Sequence, residues 1–404
     1  RMFPVNKDTT AHNAAIGFRS SFEKKNYYIN QSRPNYYFYE TFKDSRVADT
    51  TNYQTFENTV YANFKNSFLG KLKVDIHHIR WDYSFAENEY EKDTILPNQI
   101  TATQLAAEAR WSKSILGVNT EAGLYNSFKK DFKTLAWHVN LDRKLYNDIS
   151  LKVSYKYRSQ PLNFNYHLLQ SDYKEYNWNN SGLLNQKFKT KSLTISHPKW
   201  GNITGEWTGI ENYTFFNNIT RLKELNERFK VNVVQLDKKI DYFKARFNQR
   251  VDFAKFSWIN NIQYQKVTQE EDPNELLSGP IALNVPKWLV RSTLMLTSSI
   301  FNKALFFQSG ATFVFFTDFY SDEYNPLIAE FVTQNNTKIG EYPRVDFFFN
   351  AKIKSSRLFV KLENVNAPIE HLIYPDTPYD YYSAPFTPYR DFSVRIGLIW
   401  NFFE

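Results

Sequence analysis

The sequence predicts an all-β protein: a transmembrane, antiparallel, up-and-down β-barrel of roughly 16–18 strands. Three observations lead there. Apolar and polar residues alternate with period two over segments of about ten residues, the length that crosses a bilayer at a tilt. Short polar connections alternate with long ones, as they do when one rim of a barrel carries tight turns and the other carries loops. The chain is also rich in aromatics, with 36 Phe, 27 Tyr and 9 Trp among 404 residues, although its mean hydropathy is negative. A membrane barrel produces that combination because each apolar residue is followed by a polar one on the opposite face.

Along the chain, the first clear strand region is 72–85. Leu72, Val74 and Ile76 share one phase, and Ile79, Trp81, Tyr83 and Phe85 share the other. A single-residue bulge near His77-His78 is the expected repair. In 135–145, Leu135, Trp137, Val139, Leu141 and Leu145 oppose Ala136, His138, Asn140, Asp142 and Lys144. After the polar turn Asn147-Asp148, Leu151, Val153, Tyr155 and Tyr157 oppose Lys152, Ser154, Lys156 and Arg158. The pair reads as a hairpin with one apolar and one charged face. The stretch 218–242 is open between a helix, with Leu222, Leu225 and Phe229 on one side, and a loop followed by a strand. Phe243, Ala245, Phe247, Val251 and Phe253 then alternate with Lys244, Arg246, Asn248, Arg250 and Asp252. Val345, Phe347, Phe349, Ala351 and Ile353 alternate with Asp346, Phe348, Asn350, Lys352 and Lys354. The last strand sets Phe392, Val394, Ile396, Leu398, Trp400 and Phe402 on one face.

Long connections are expected at 40–53, 86–99, 159–182, 268–286, 321–342 and 366–388, and short ones at 68–71, 129–132, 146–149, 254–255, 302–304 and 354–356. No linker, solenoid repeat or low-complexity tract divides residues 1–404, so one barrel domain is the simplest reading. It starts at Arg1 and is expected to lack an upstream signal peptide and N-terminal region. A soluble β-sandwich would also alternate, but so many long strands are too many for one sandwich. Aromatic clusters near strand ends, at Trp81-Tyr83-Phe85, Tyr155-Tyr157 and Trp400-Phe402, fit the girdles of a membrane barrel.

Composition removes other classes. Without cysteine there is no disulfide scaffold, thiolate zinc site or thiol nucleophile. No apolar run is long enough for a transmembrane helix. The 50 Lys and Arg exceed the 42 Asp and Glu by 8, but they are spread along the chain, which argues against nucleic acid as a partner.

The C-terminus carries a resemblance. Pro388-Tyr389-Arg390-Asp391-Phe392, Gly397 and Trp400-Asn401-Phe402-Phe403 resemble the closing strand of Bacteroidota-type outer-membrane barrels. An aromatic end of this kind is similar to the signal read by the barrel-assembly machinery, and TonB-dependent receptors end in much the same way. The candidate assembly signal comprises Phe392, Leu398, Trp400, Phe402 and Phe403. Ser159 to Tyr166, Tyr176-Asn177-Trp178, Glu211 to Phe216, Tyr324 to Leu327, Asp346 to Lys352 and Lys361 to Val365 resemble the Bacteroidota (Flavobacterium-like) outer-membrane porin family. The resemblance covers about residues 159–404 well and is looser before that. It implies a single-chain barrel in the bacterial outer membrane and a porin label, with no particular solute. It also implies that more sequence usually stands N-terminal to the part seen here.

Tests for chemistry give little. No Gly-x-Ser-x-Gly elbow, phosphate-binding loop, His-Glu-x-x-His or EF-hand loop occurs, so no enzyme and no cofactor is expected. His77 and His78 point to opposite faces of a regular strand, which is poor for chelation, and no metal is expected. His138 reads as a lumen residue. Glu270-Glu271-Asp272 reads as a solvated loop, and the aromatic, Asn-rich loop 163–180 is expected to contact sugars, to fold over the mouth or to dock a partner. The informative constellation is the polar strand face: Lys144, Lys152, Lys156, Arg158, Lys244, Arg246, Arg250, Lys352, Lys354, Lys361 and Arg395, with Asp142, Asp252, Asp346, Glu363 and Asp391 between them. A charge on the lipid face costs about 2–4 kcal/mol near the midplane, so these should line the lumen. They would either cross-link as a ladder of ion pairs or leave a hydrated, net-basic channel. The expected function is therefore passive diffusion of small hydrophilic solutes. The rival is a non-conducting barrel that serves as scaffold in a secretion or barrel-assembly complex. Expected partners are the outer-membrane lipid bilayer, the assembly machinery and other outer-membrane proteins or lipoproteins.

Overall fold

The structure is a computed structural model that describes residues 2–4, 12–38, 40–42, 46–86, 97–128, 132–218, 229–270, 282–368 and 382–401. A 17-stranded antiparallel sheet dominates it. The strands are β1 (Met2–Pro4), β2 (His12–Gln31), β3 (Val47–Asn66), β4 (Gly70–Phe85), β5 (Gln99–Ile115), β6 (Val118–Ser127), β7 (Leu135–Lys144), β8 (Ser150–Gln160) and β9 (Gln186–His197). They continue with β10 (Gly201–Glu211), β11 (Ile240–Phe253), β12 (Phe256–Gln269), β13 (Trp288–Ile300), β14 (Leu305–Phe316), β15 (Arg344–Ile353), β16 (Ser356–Glu363) and β17 (Ser393–Trp400). Each pairs with its neighbour in sequence, which is the meander of an up-and-down barrel. Among the described residues, β1 pairs only with β2 and β17 only with β16.

Strict alternation assigns the two faces. Ile16, Phe18, Val60, Val74, Ile76 and Leu398 are exposed, whereas Thr59, Asp75 and His77 between them are buried. The buried-parity face is the inner one, because folded loops rest on it: Tyr83 stacks on Phe164, and Asp49 accepts hydrogen bonds from Ser171 and from the Asp172 N–H. On the outer face, aromatics follow one another across neighbouring strands. Trp137 lies 5.0 Å from Tyr155, Lys191 sits over Tyr155 and Trp207, and Tyr264 lies 4.9 Å from Trp288. A second set, including Phe68, Tyr146, Trp200 and Phe301, is exposed at the tight turns. Exposed aliphatics between two aromatic belts are what a lipid-facing surface requires.

The tight connections 67–69, 116–117, 145–149, 198–200, 254–255, 301–304 and 354–355 occupy one rim. Gly70 and Gly201 have left-handed φ there, and a Cβ on either would collide with a backbone carbonyl of a nearby strand, Ser112 and Asn248 respectively. The turns at 116–117 and 198–200 escaped the sequence reading. The connection expected as a short turn at 129–132 belongs instead to the loop rim, because β6 runs away from the 116–117 turn; residues 129–131 lie outside the described residues.

One further expectation is corrected. No bulge interrupts 72–85: β3 and β4 pair without a slip from Thr51↔Phe85 to Asn66↔Gly70, and β4 and β5 from Lys71↔Ser112 to Ser84↔Gln99. Ile79, Trp81, Tyr83 and Phe85 therefore point inward and belong to no outer girdle. Of the stretch 218–242, left open by the sequence, Val231–Gln235 is a loop strand and Ile240 opens β11; residues 219–228, with Leu222 and Leu225, lie outside the described residues, and Phe229 is buried.

Candidate functional site: the inner wall beneath a loop cap

The largest apolar cluster lies at the loop rim, not within the wall. Phe38, Val47, Tyr83, Phe85, Leu168, Leu169, Tyr173, Tyr176, Phe216, Phe229, Val231, Leu327, Ile328 and Val332 form one buried core. It is built from the loops that follow β2, β8, β10 and β14, packed on the upper inner faces of β3 and β4. Four loop strands stiffen it. Thr214–Asn218 pairs antiparallel with Val231–Gln235 and parallel with Glu330–Thr333, which pairs with Glu323–Asn325.

Aromatic rings and buried amides hold this cap together. Tyr166 stacks on Phe216 at 4.5 Å, and Tyr37 on Phe229 at 5.4 Å. Asn325 is fully buried; its Oδ1 accepts the Leu327 N–H at 2.8 Å, and its Nδ2 donates to the Tyr176 hydroxyl at 3.2 Å. The Tyr176 hydroxyl donates in turn to the Phe229 carbonyl at 2.6 Å. Gln334 accepts the Asn336 and Thr337 N–H groups and donates to the Ser321 carbonyl. Each of these amides satisfies loop backbone that would otherwise be buried unpaired. The loop 163–180, left open by the sequence, folds over the mouth. Of the acidic run, Glu270 lies 4.0 Å from Lys238, and Glu271 and Asp272 lie outside the described residues.

Burial alters the acids of the cap. Asp322, Glu323 and Glu330 all titrate above the usual carboxylate range because desolvation penalises their charge. For Glu323, hydrogen bonds from Tyr37 at 3.0 Å and Asn218 at 3.5 Å oppose the shift without cancelling it. Burial likewise raises the Tyr37, Tyr166 and Tyr213 hydroxyls.

Below the cap, a cavity of about 560 Å³ opens against the wall of β5–β11, lined by Tyr125, Lys156, Arg158, Tyr213 and Tyr242 among others. Ladder parity sets Lys152, Lys156 and Arg158 of β8 on the inner face, opposite Asp142, His138 and Ala136 of β7. None of these three bases has an acidic partner within salt-bridge distance among the described residues, and the same holds for Lys144 and Lys352. Arg158 lies over the Phe188 ring at 5.7 Å. His138 reaches Glu121 at 3.4 Å, and its ring lies where a Cβ on Gly123 would stand.

The other expected bases are paired. Lys244 and Arg246 share Glu206 at 2.6 and 3.8 Å, Arg250 meets Asp252 at 2.9 Å, and Arg395 meets Glu363 at 2.9 Å. Lys361 bridges Asp346 and Glu363 at 3.4 and 2.6 Å. Both arrangements foreseen for these charges thus occur among the described residues: cross-linked pairs on β10–β11 and β15–β17, and bases without an acidic partner on β7, β8 and β15. Lys354 is not a wall residue. It sits in the turn after β15 with left-handed φ, because two residues must close that hairpin. In the last strand, Leu398 and Trp400 are exposed on the outer face beside Leu358 and Ser356, and Phe392 precedes the strand. Phe402 and Phe403 lie outside the described residues.

The sequence reading missed one inner-face group: Asp75, His77 and Glu108. Its signal was the two-residue spacing of Asp75 and His77 on one strand face, but Glu108 joins them only through the β4–β5 register, Asp75↔Glu108.

The family described as "Putative porin" matches residues 3–404. The chain belongs to this family. No curated protein matches it. Among solved structures, a point mutant of the ferric enterobactin receptor PfeA from Pseudomonas aeruginosa is similar with a TM-score of 0.59 at 13% identity, over 89% of this chain and 54% of that one. The siderophore receptor PirA from Acinetobacter baumannii gives 0.58 at 12% identity, over 88% and 56%. The FrpB iron transporter from Neisseria meningitidis gives 0.59 at 11%, also over 88% and 56%. The chain therefore spans little more than half the length of these structures, and at such identities they show a common fold. This family member is an outer-membrane β-barrel, located in the bacterial outer membrane.

Proposed function

We propose that this porin-family barrel is a channel for small hydrophilic solutes whose net-basic lumen favours anions and whose folded loop cap restricts the mouth. The observation that carries the reading is the set of unpaired inner-face bases, Lys152, Lys156 and Arg158, lying below a packed cap, the latter two lining a cavity. Unpaired ammonium and guanidinium groups need water or a mobile anion, and a hydrated wall of one sign biases permeation. Catalysis has no part in this reading. The bilayer and the assembly machinery are its partners, the latter reading the terminal strand, and the resemblance of that strand supports a Bacteroidota-type source.

One observation favours a second reading. The cap is itself a well-packed core, which suits a barrel that does not conduct and instead presents a docking surface in a larger assembly. Single-channel recording of the refolded chain across a salt gradient separates the two. Stepwise openings with an anion-selective reversal potential support the channel, and a silent, verifiably inserted barrel refutes it.

A further inference from the structure

We infer that Asp75, His77 and Glu108 form a binding site for one divalent transition-series cation of the Zn²⁺ class on the inner wall. One ligand atom from each of the three lies within 4.8 Å of the others. Asp75 and His77 stand two residues apart on the inner face of β4, and Glu108 is the ladder partner of Asp75 on β5. Two unbroken strands fix these positions, so the site is as rigid as the wall.

The surrounding contacts leave one atom of each residue free to turn toward the others. Lys73 holds Asp75 Oδ2 at 2.9 Å, and Arg110 holds Glu108 Oε1. His77 Nδ1 lies 3.1 Å from both Glu57 Oε1 and Thr59 Oγ1, and Arg19 steadies Glu57 at 3.8 Å. With Nδ1–H donated to Glu57, the lone pair falls on Nε2, the arrangement in which a carboxylate orients a ligating imidazole. Asp75 and His77 are 3% and 7% exposed, yet Asp75 Oδ1 and His77 Nε2 have no hydrogen-bond partner among the described residues. Leaving such atoms buried and unmatched is costly. The gap from Nε2 to Glu108 Oε2 is 3.8 Å, too long for a hydrogen bond. It is close to the separation of about 3.3 Å that two ligands have around one tetrahedral zinc.

The donor set selects the ion. One imidazole and two carboxylates suit Zn²⁺ and its neighbours, whereas Ca²⁺ asks for six or more oxygens. Access is by way of the lumen, since Glu108 also lines the cavity beneath the cap. The ion would join β4 to β5 and set a fixed positive charge in the wall.

The test is calorimetric titration of the chelator-stripped, refolded full chain with ZnCl₂, beside Co²⁺ absorption in the visible. One saturable site per chain is expected, with a Co²⁺ ligand-field band that Zn²⁺ displaces. His77→Gln and Asp75→Asn should abolish the band, and Glu57→Gln, which only orients His77, should weaken binding about 10- to 100-fold. His138→Gln, on the neighbouring wall, should leave it unchanged. Folding of each variant is checked by heat-modifiable gel mobility. If a variant fails to fold, electron spin-echo detection of imidazole nitrogen on Cu²⁺ bound to the unaltered chain decides instead, and absence of that nitrogen overturns the site. No saturable binding by the folded chain, or equal binding by folded His77→Gln, also overturns it and leaves an ion-pair cluster.

Discussion

Removing one ring from the cap should open the mouth while sparing the barrel. Phe216 is 1% exposed, stacks on Tyr166 at 4.5 Å and lies 6.0 Å from Trp178. It belongs to the loop strand Thr214–Asn218, which among the described residues pairs with other loop strands and not with the 17-stranded wall. Truncating a buried Phe to Ala costs about 3–5 kcal/mol through lost burial and the cavity left behind. If that cost falls on the closed cap alone, the closed-to-open ratio drops by about two to three and a half powers of ten, at about 1.4 kcal/mol per decade. Phe216→Ala should therefore raise the open fraction and conductance in single-channel records, and the loops should become sensitive to limited proteolysis. Heat-modifiable mobility should be unchanged, because the wall ladders are intact. A variant whose loops are cleaved freely but whose conductance matches that of the unaltered chain would falsify the gating role of the cap. Loops that remain protected would refute the energetic reasoning instead.

Acid should tighten the same cap. Burial raises Asp322, Glu323 and Glu330 in the folded state, so the folded cap binds more protons than the open one between the ordinary carboxylate value and the raised one. The cap's stability is then fully present below the ordinary value, near 4, and declines as pH rises through the raised values. Open probability should fall on acidification, and Glu323→Gln, which keeps the Tyr37 hydrogen bond, should flatten the profile; an unchanged profile would count against this origin. Lys156→Glu with Arg158→Glu should move the zero-current potential toward cation selectivity. Of two single changes of equal charge, Lys156→Gln should move it more than Lys244→Gln, which leaves Glu206 paired with Arg246, and equal shifts would show that pairing does not matter. In the final hairpin, a Cβ on Gly397 would fall within the Phe359 ring, so Gly397→Val should cost about 1–3 kcal/mol by overpacking. The temperature of gel-mobility unfolding should drop and recover when Phe359→Ala is added, and no recovery would place the strain elsewhere.

Period-two alternation made the wall readable wherever one face met lipid along the whole strand. The hairpin of β7 and β8 shows this: Leu141↔Val153, Val139↔Tyr155 and Trp137↔Tyr157 fall on one face and Asp142↔Lys152 on the other. The cap was not readable, because its strands are two to five residues long and the pairing that joins its two hairpins spans more than a hundred positions, from Phe216 to Val332. Periodicity carries no information about such contacts. Charge pairing was also hidden. Glu206 meets Lys244 only through a register that places β10 against β11, and the same limit concealed Glu108 from His77.

The change of phase in 72–85 is the one place where sequence and structure first disagree and then explain each other. A strand needs about 9–11 residues to cross a bilayer, yet β2 and β3 have 20 each, β4 has 16 and β5 has 17. Their surplus lies toward the loop rim. Up to Ile76 the apolar residues of β4 face outward, as lipid demands. Beyond His78 the outer positions are Arg80, Asp82 and Ser84, which suit water, while Trp81, Tyr83 and Phe85 turn inward. Without a register slip, only a change in what lies on each side of the wall can account for this: lipid outside below, loop core inside above. The switch therefore marks the height at which the wall leaves the bilayer and becomes the support for the cap. At the opposite end of the sheet, β16 and β17 have 8 residues each and no such extension. The cap must then lean on the β2–β5 side, which is where its apolar core meets Ile29, Val47, Tyr53, Tyr83, Phe85 and Ile100.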